Sequence, residues 1–439
     1  MRRFRFPRWI VSSASCCVLL IADLLPIQAQ ESPSSATQQS LTPAVSLRDA
    51  QRFALANNWD VLTAQTTVDA AMAQKIVSEQ WPNPNLTLST TKIDVDGHSS
   101  RTSEGNNFWQ RSYDTTVALN QLFEIGKRGY RQDSAQAGLV ATKARLADAR
   151  RLLELLVATT YINALQAEAN VEVLSQSAQM LREEAAIAGS RLSAGDISVS
   201  DKDQIEIIAD RFELDAQNAQ VAAVSARIEL ELALGIKAPQ GNTQLTDTLD
   251  VLSKQSQDPP AGGEPRPDLM SAQAEVSRAQ AEVRLQVAQR IPDPTLLVQY
   301  EHEPADKPNT IGIGLSFPLP LFNYNTGGIA LAKSTHAQAT TVLARTRAQI
   351  SAQETIAHAA YENARARMIR YHDVIRPRSE QLRKTIAYAY SKGGASLLDL
   401  LIAERSDNEV RLAAVQAAAD AAAAAAALRA ALNIVETAP

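Results

Sequence analysis

The residues that could carry out acid–base catalysis or bind a metal are few in this 439-residue chain and widely separated. The histidines occur singly, at His98, His302, His336, His358 and His372. Both cysteines, Cys16 and Cys17, lie within the first 29 residues. The chain contains no HExxH, Cys-x-x-Cys, P-loop or GxSxG pattern, which are the spacings that common metal, phosphate and nucleophile sites require. We therefore expect no enzymatic activity, no cofactor and no bound metal.

Two further groups of residues resemble ligand sites only superficially. The tripeptide Glu301–Glu303 has the sequence Glu-His-Glu, but it falls at a predicted loop tip, where charged side chains are ordinarily solvated. Four methionines are far apart in the sequence, at Met72, Met180, Met270 and Met368. Thioether side chains spaced in this way are typical of packing residues, and they do not indicate a relay for soft metal ions.

Asp201 and Asp399 are the most informative of the charged residues because their surroundings repeat. A shift of about 198 residues superimposes Gly195, Ser198 and Asp201 on Gly393, Ser396 and Asp399. On a helix that faces solvent, each aspartate would only cap the first turn. Around the axis of an oligomer, the same carboxylates would raise each other's pKa and repel one another in a closed state.

The repeat extends to nearly the whole chain and predicts a mostly helical fold with a small β part. Each copy reads as helix, strand pair, long helix, turn and helix, with proline pairs at 82/84 and 292/294 where helix gives way to strand. Repeat 1 covers 46–236, with a first helix from Ser46 to about Gln80, strands at about 85–95 and 115–123, a long helix at 127–191 and a tip turn at 193–198. Repeat 2 covers 267–435, with strands at about 295–302 and 310–318, a long helix at 328–391 and a tip turn at 392–396. Pro377 is expected to kink the second long helix.

The remaining segments read as a leader, a linker and a connector. Residues 1–29 combine four arginines, an apolar run and a small-residue cleavage site, which is typical of a cleaved signal peptide. Residues 30–45 are predicted to be a flexible linker, and 237–266 a connector rich in Gly, Pro and Ser. No later segment is expected to reach the length and polarity limit of a transmembrane helix, so insertion of this protein into a membrane would require strands.

The clearest strand has one apolar side and one side of small residues. Ile311, Ile313, Leu315 and Phe317 alternate with glycine and serine, which predicts a strand with one face toward lipid. Four strands cannot close a barrel, and an open sheet edge in lipid leaves backbone groups unpaired. Two chains would give a barrel filled by its own side chains, whereas three would leave room for a pore.

This order of elements resembles that of the TolC family of outer-membrane efflux proteins. The segments that carry the resemblance are QLFEIGKRGYR (121–131), RIPDPTLLVQY (290–300) and GLSFPLPLFNYNTGG (314–328), and they look most like the CzcC-like branch, associated with heavy-metal cations. The resemblance implies a homotrimer with a 12-stranded β-barrel in the outer membrane of a Gram-negative bacterium, continued by an α-helical periplasmic tunnel. It also implies two partners, a periplasmic adaptor protein and an inner-membrane RND-type pump.

The resemblance also suggests roles for individual residues. Asp201, Asp399 and Tyr390 match positions of the family's periplasmic gate. The positions that match the adaptor-docking tip are Gly195, Ser198, Gly393, Gly394, Ser396 and Leu397. Ala395 stands where an arginine latch would be and Ile402 where a second acidic residue would be, so a charge-paired latch is not expected at these two positions.

Several functions remain open at this point. Within the export hypothesis, the cargo is a heavy-metal cation or, alternatively, a drug or a protein secreted by a type I system. The net charge of −5 is compatible with cations, although it does not select them, and it gives no indication of a nucleic-acid partner. A hypothesis from another class is a periplasmic structural coiled-coil protein whose sheet never enters lipid.

Overall fold

The computed structural model describes residues 44–91, 114–255, 264–303 and 307–434. The predicted signal peptide and the linker up to residue 43 therefore lie outside the described residues, as do 92–95 of the first predicted strand. In chain order, the elements of the first half are β1 (Ala44–Val45), α1 (Leu47–Asn57), α2 (Trp59–Glu79), β2 (Asn85–Thr91), β3 (Asp114–Leu122), α3 (Lys127–Ser193), α4 (Val199–Ala233), β4 (Gln244–Leu245) and α5 (Leu249–Gln255). Those of the second half are α6 (Pro267–Ala288), β5 (Thr295–Glu303), β6 (Lys307–Ser316), α7 (Thr326–Arg370), a π-helical turn (Tyr371–Ile375), α8 (Arg376–Ser391) and α9 (Leu397–Ala431).

The four long strands form one antiparallel sheet in the order β2-β3-β5-β6. Its register aligns apolar side chains on one face, in the rows Leu86–Leu119–Val298–Ile313 and Leu88–Val117–Tyr300–Ile311. The other face carries the rows Thr87–Ala118–Gln299–Gly312 and Ser89–Thr116–Glu301–Thr310. Because side chains alternate between the faces of a strand, this register makes the sheet amphipathic across its whole width.

A charged junction joins the sheet to α3. The Lys127 ammonium donates to the Asp293 carboxylate at 2.7 Å, and the second Asp293 oxygen accepts from the Ile125 backbone at 3.0 Å. Arg131 donates to both oxygens of Glu124 and also reaches the Ser78 carbonyl at 3.3 Å. The motifs 121–131 and 290–300 therefore contain the residues that fix the direction in which the long helix leaves the sheet.

The first predicted helix is in fact two helices, which meet at Asn58. The sequence suggested one helix from Ser46 to about Gln80, but Asn58 adopts φ −68°, ψ 132° and caps α2 by accepting from the Asp60 backbone at 2.9 Å. Its amide group also donates to the Ala233 carbonyl at 2.9 Å, and the residue is only 5% exposed. The Asn58 side chain thus accepts from the N–H groups at the start of α2 and donates to a carbonyl at the end of α4, and both bonds favour a break between helices at this position.

Gly235 ends α4 next to Asn58 and allows the end of α4 to lie close to the boundary between α1 and α2. Its φ is +82°, and its N–H donates to the Leu232 carbonyl at 3.0 Å, as in a glycine-terminated helix. A Cβ at this position would lie 2.5 Å from the Asn57 carbonyl oxygen. Glycine is therefore required here for its backbone conformation and also for the space.

The connector between the repeats is more ordered than its composition indicates. β4 pairs in parallel with β1, so the final two residues of the predicted linker form a strand. The buried Tyr161 hydroxyl on α3 lies 2.9 Å from the Val45 carbonyl of β1 and 3.0 Å from Oδ2 of Asp247, just after β4, and its single proton can be donated to either acceptor. These tertiary contacts order short segments that have no local signal of their own.

Glu231 organises the start of the connector. It lies on the last turns of α4 and is 4% exposed. Its Oε2 accepts from the backbone N–H groups of Gln240 and Gly241 at 2.6 and 2.8 Å. Its Oε1 accepts from the N–H groups of Asn242 and Thr243 at 2.8 and 3.0 Å, and from the Thr243 hydroxyl at 2.9 Å. Burial opposes ionisation, but the hydrogen bonds outweigh it and lower the pKa of Glu231.

The second long helix is interrupted one turn before Pro377. Proline cannot donate to the helical ladder, and its ring crowds the carbonyl four residues earlier, which belongs to Asp373. Asp373 lies inside the π-helical turn Tyr371–Ile375. The irregularity predicted from Pro377 therefore takes the form of a π turn between α7 and α8.

Helix α9 corrects one expectation from the sequence. By length and composition it could cross a membrane, although no segment after the leader was expected to. Its apolar character comes mainly from alanines, and these pack against α3 and α7 within the protein. The buried alanines are Ala403, Ala417, Ala418, Ala419, Ala421, Ala422, Ala425 and Ala431. Small side chains of this kind allow close helix packing, so α9 is a packed helix of the bundle.

Candidate functional site

The two ends of the helical hairpins have the same backbone design. In the first tip turn, Gly195 has φ +82°, and its N–H donates to the Leu192 carbonyl at 3.0 Å. In the second, Gly393 has φ +76°, and its N–H donates to the Tyr390 carbonyl at 3.0 Å. Both glycines have open space around the position of a Cβ, so they are present for their left-handed conformation.

Matching capping boxes begin the helices that follow the tips. Ser198 and Ser396 share φ −81°, ψ 160°, and each hydroxyl accepts from the backbone of the aspartate three residues later. In return, the Ser198 N–H donates to the Asp201 carboxylate at 3.2 Å, and the Ser396 N–H donates to the Asp399 carboxylate at 3.0 Å. Hydrogen bonds from the Ser396 side chain and backbone lower the pKa of Asp399. Within one chain, both aspartates are therefore helix caps.

Tyr390 connects the two hairpins just above the tips. The Arg191 guanidinium of α3 lies 5.2 Å from the centroid of its ring, in a cation–π arrangement. Ile402 is 58% exposed, two helical turns into the second hairpin. The structure thus brings Tyr390 to the boundary between hairpins, while Asp201 and Asp399 each contact their own turn. The gate role of these three residues stays a prediction.

Leu397 occupies a different environment from the other predicted tip residues. It packs, partly buried, against a core formed by α3, α4 and α9. Leu401, one turn later, is fully part of this core. Leu397 therefore joins the second tip to the first hairpin, and the exposed part of the second tip is Gly393, Gly394 and Ser396.

A buried charge cluster above the tips was missed by the sequence analysis. Arg383 on α8 lies 3.1 Å from the Glu404 carboxylate and 3.4 Å from Asp407 Oδ2 on α9. The second contact is close enough for an ion pair but lacks hydrogen-bond geometry, and Asp407 Oδ1 is buried without a hydrogen-bond partner. Burial, and then the Glu404 carboxylate, raise the pKa of Glu184 on α3.

A buried hydrogen bond ties this cluster to the first hairpin. Ser177 of α3 donates to Asn408 of α9 at 2.9 Å, and both residues are less than 9% exposed. The sequence signal for the cluster was available, because Glu404, Asp407 and Asn408 follow Leu400 and Leu401 at helical spacing on one face. Polar residues at core-facing positions indicate a buried network, and in this chain the network spans three helices.

The predicted lipid-facing residues lie together on the apolar face of the sheet. Ile311 and Ile313 are each 78% exposed, Leu315 is 63% exposed, and Phe317 follows directly after the end of β6. In the part of the chain that the structure describes, no group of three or more His, Cys, Asp or Glu side chains is arranged to hold a metal ion. The candidate functional features of the described residues are therefore the two helical tips and the amphipathic sheet.

Comparison with known proteins agrees with this architecture. The cobalt-zinc-cadmium resistance protein CzcC of Cupriavidus metallidurans is 24% identical over 380 residues, which cover 84% of this chain and 85% of CzcC. The solved structure of CusC matches with a TM-score of 0.75 at 19% identity, over 88% of this chain and 91% of CusC. VceC from Vibrio cholerae matches with a TM-score of 0.71 at 21% identity, over 88% of this chain and 96% of VceC.

The family itself follows from a match to both halves of the chain. The family model described as outer membrane efflux protein matches residues 52–238 and 264–433. These ranges contain the strand pairs, the long helices and both tips. The match confirms the TolC-family resemblance of the sequence and the expectation that the protein is not an enzyme. The chain belongs to the outer membrane efflux protein family.

Proposed function

We propose that this protein is the passive exit duct of a tripartite efflux system, working as a homotrimer. The observation that carries the proposal is the amphipathic sheet, whose edge strands β2 and β6 each have one neighbour within the described residues. An edge exposed to lipid would leave unpaired backbone groups, each costing several kcal/mol. Edge-to-edge pairing of three copies would remove every edge and give a barrel of twelve strands.

The helical hairpins support a tunnel beneath this barrel. α3 alone has 67 residues, so it extends about 100 Å at 1.5 Å per residue. Its length and its firm junction to the sheet suit a wall that carries the pore away from the membrane. The duplicated unit, with repeats over 46–236 and 267–435, would give each copy two equivalent hairpins in that wall.

The tips are the proposed contact with a periplasmic adaptor, which links the duct to an inner-membrane RND-type pump. The two tips share one backbone design, so three copies would present similar docking surfaces around the axis. Asp201 and Asp399 would bring several carboxylates near that axis, where their mutual repulsion opposes closure. Tyr390 and Arg191 would hold the two hairpins together in the closed state.

Heavy-metal cations are the proposed cargo. Support comes from the likeness to CzcC, a cobalt-zinc-cadmium resistance protein, over most of both chains. The acidic residues at the tips are compatible with cation passage. Selectivity is assigned mainly to the pump, because the duct has no metal-binding cluster among the residues described.

Three measurements test the proposal. The mass of the detergent-solubilised protein should correspond to three copies, and its insertion into planar bilayers should give a stable conductance. A single copy, or a protein that is soluble without detergent, would favour the structural coiled-coil alternative. Deletion of the gene should increase sensitivity to zinc, cobalt and cadmium more than to dyes. The opposite order of sensitivities would assign the duct to drugs.

A gate variant tests the roles of the two aspartates. Asp201→Asn with Asp399→Asn keeps an oxygen that can cap the helix and removes the charge. We expect the cation preference of the conductance to fall while the helix content stays unchanged. Asp203→Asn serves as the matched control, because it removes a charge two residues after Asp201, outside the capping box. Equal ion selectivity of the double variant, the control and the wild type would remove the gate assignment.

A further inference from the structure

A long uncharged segment runs from the sheet into the second long helix. From Pro308 to Ala332 the sequence contains no Asp, Glu, Lys, Arg or His. β6 accounts for its beginning, but the apolar character continues beyond the strand, through Phe317 to Tyr324. The large apolar side chains of this continuation are exposed, at Phe317, Leu319, Leu321, Phe322 and Tyr324. Phe322 is 97% exposed, more than any other large hydrophobic residue described.

The corresponding junction in the first repeat has the opposite character. There, the chain passes from β3 to α3 through Glu124, Lys127 and Arg128, which are held by contacts within the protein. Lys127 pairs with Asp293 at 2.7 Å, and Arg128 stacks over Trp81 at 4.5 Å. The first junction therefore has charged side chains that pair within the protein, although Phe123 and Ile125 are partly exposed there, whereas the second junction has no charged residue and a longer run of exposed apolar side chains.

The apolar junction is held firmly despite its exposure. At its end, Asn325 adopts φ 53°, and its side chain donates to the Gln286 carbonyl at 2.8 Å and to Gln286 Oε1 at 2.9 Å. In its middle, the Leu321 N–H donates to the Leu319 carbonyl at 2.8 Å across Pro320, and Pro318 and Pro320 both restrict the backbone. Its apolar side chains are thus presented by a constrained loop.

We propose that segment Phe317–Tyr324 inserts into the periplasmic leaflet of the outer membrane, with phospholipid as its occupant. The inference rests on the proposed barrel, because it places this loop just below β6. A strand of ten residues, when tilted, spans an apolar band of about 25 Å, so the loop after it lies at the headgroup boundary. Aromatic side chains favour that boundary. Each chain would then hold the membrane at one of its two junctions.

Continuity with the sheet favours lipid over a second copy of the chain. Phe317 extends the row of Ile311, Ile313 and Leu315 on the apolar face, and Leu319 and Leu321 prolong the exposed apolar surface without a charged interruption. An apolar patch of this extent on one surface marks a membrane or protein contact. The lack of any charged residue from Pro308 to Ala332 lets this surface continue from the lipid-facing strand to the headgroup boundary without burying a charge.

Depth measurements on single-cysteine variants test the inference. Phe322→Cys carries an environment-sensitive fluorophore in the purified protein without residues 1–29, which contain Cys16 and Cys17, reconstituted in phospholipid vesicles. Ile313→Cys reports on the barrel face, and Ile125→Cys reports on the matched junction of the first repeat. Leu214→Cys, on the exposed surface of α4, reports on water. Quenchers are lipids that are spin-labelled near the headgroup or deep in the chain, together with aqueous iodide.

The expected pattern separates this inference from the proposed barrel. The emission of the probe at 322 should be quenched most by the shallow lipid label, and that of the probe at 313 most by the deep label. The emission of the probes at 125 and 214 should be quenched most by iodide. Quenching at 322 by iodide alone would overturn the proposed membrane insertion of 317–324, and so would the absence of quenching by any agent, which would mean that another copy covers the site. In either case, quenching at 313 by the deep label would still support the barrel. Failure of lipid labels to reach 313 would refute the barrel itself, and with it the inference.

Discussion

Replacement of Glu231 with glutamine should release the start of the connector. The carboxylate accepts five hydrogen bonds through its two oxygens, and the residue is 4% exposed. Glutamine has the same size but presents one oxygen and one NH2 group. When its oxygen faces Asn242 and Thr243, its NH2 group faces the N–H groups of Gln240 and Gly241, and these two donors lose their acceptor.

The structure sets the magnitude of this effect. A buried donor without a partner costs about 1–3 kcal/mol, so two such donors destabilise the local structure by about 2–6 kcal/mol. Amide hydrogen exchange of residues 240–243 in the purified protein measures the opening directly. We expect these amides to exchange at least about tenfold faster in Glu231→Gln, since about 1.4 kcal/mol corresponds to a factor of ten.

A control variant and a pH series make the prediction specific. Glu229→Gln changes an exposed carboxylate two residues earlier and should leave exchange at 240–243 unaffected. Because the folded-state pKa of Glu231 lies below the ordinary value of 4.5, its contribution is complete above that value and is lost as the pH falls through the lowered pKa. Unchanged exchange in Glu231→Gln would show that the carboxylate does not hold the connector.

Two further predictions concern packing in the helical part and can be checked by denaturant unfolding of the purified protein. Gly235→Ala should destabilise by more than the roughly 1–2 kcal/mol cost of a left-handed residue, because its Cβ would lie 2.5 Å from the Asn57 oxygen. Gly195 has φ +82° and open space around the position of a Cβ, so Gly195→Ala should show the conformational cost alone. Equal losses of unfolding free energy in the two variants would exclude a steric clash at Gly235. Arg383→Met should cost about 3–5 kcal/mol because it leaves the buried Asp407 and the partly buried Glu404 without their cation. Adding Asp407→Leu to Arg383→Met should recover part of the loss, and a double variant no more stable than Arg383→Met would refute the charge argument.

The sequence was most informative where the signal is local. Proline pairs, alternation in 311–317 and the two glycine turns are each contained in a few residues, and the structure has strands, helix ends and left-handed glycines at those places. The capping boxes of Asp201 and Asp399 could be read in the same way, because a serine followed three residues later by an acidic residue is a local pattern. The exposed segment around Phe322 was also visible in the sequence, as a stretch without charge.

Tertiary structure alone decided the features that depend on distant partners. Asn58 lies in a helical pattern, and its break becomes favourable only because Ala233, 175 residues away in the chain, offers a carbonyl to its side chain. The connector looked irregular because its order comes from Glu231 and from pairing with Val45, neither of which its own composition reveals. Local preferences amount to about 1 kcal/mol per residue or less, whereas a buried polar group left without its partner costs about 1–3 kcal/mol, so the distant contacts prevail at Asn58 and in the connector.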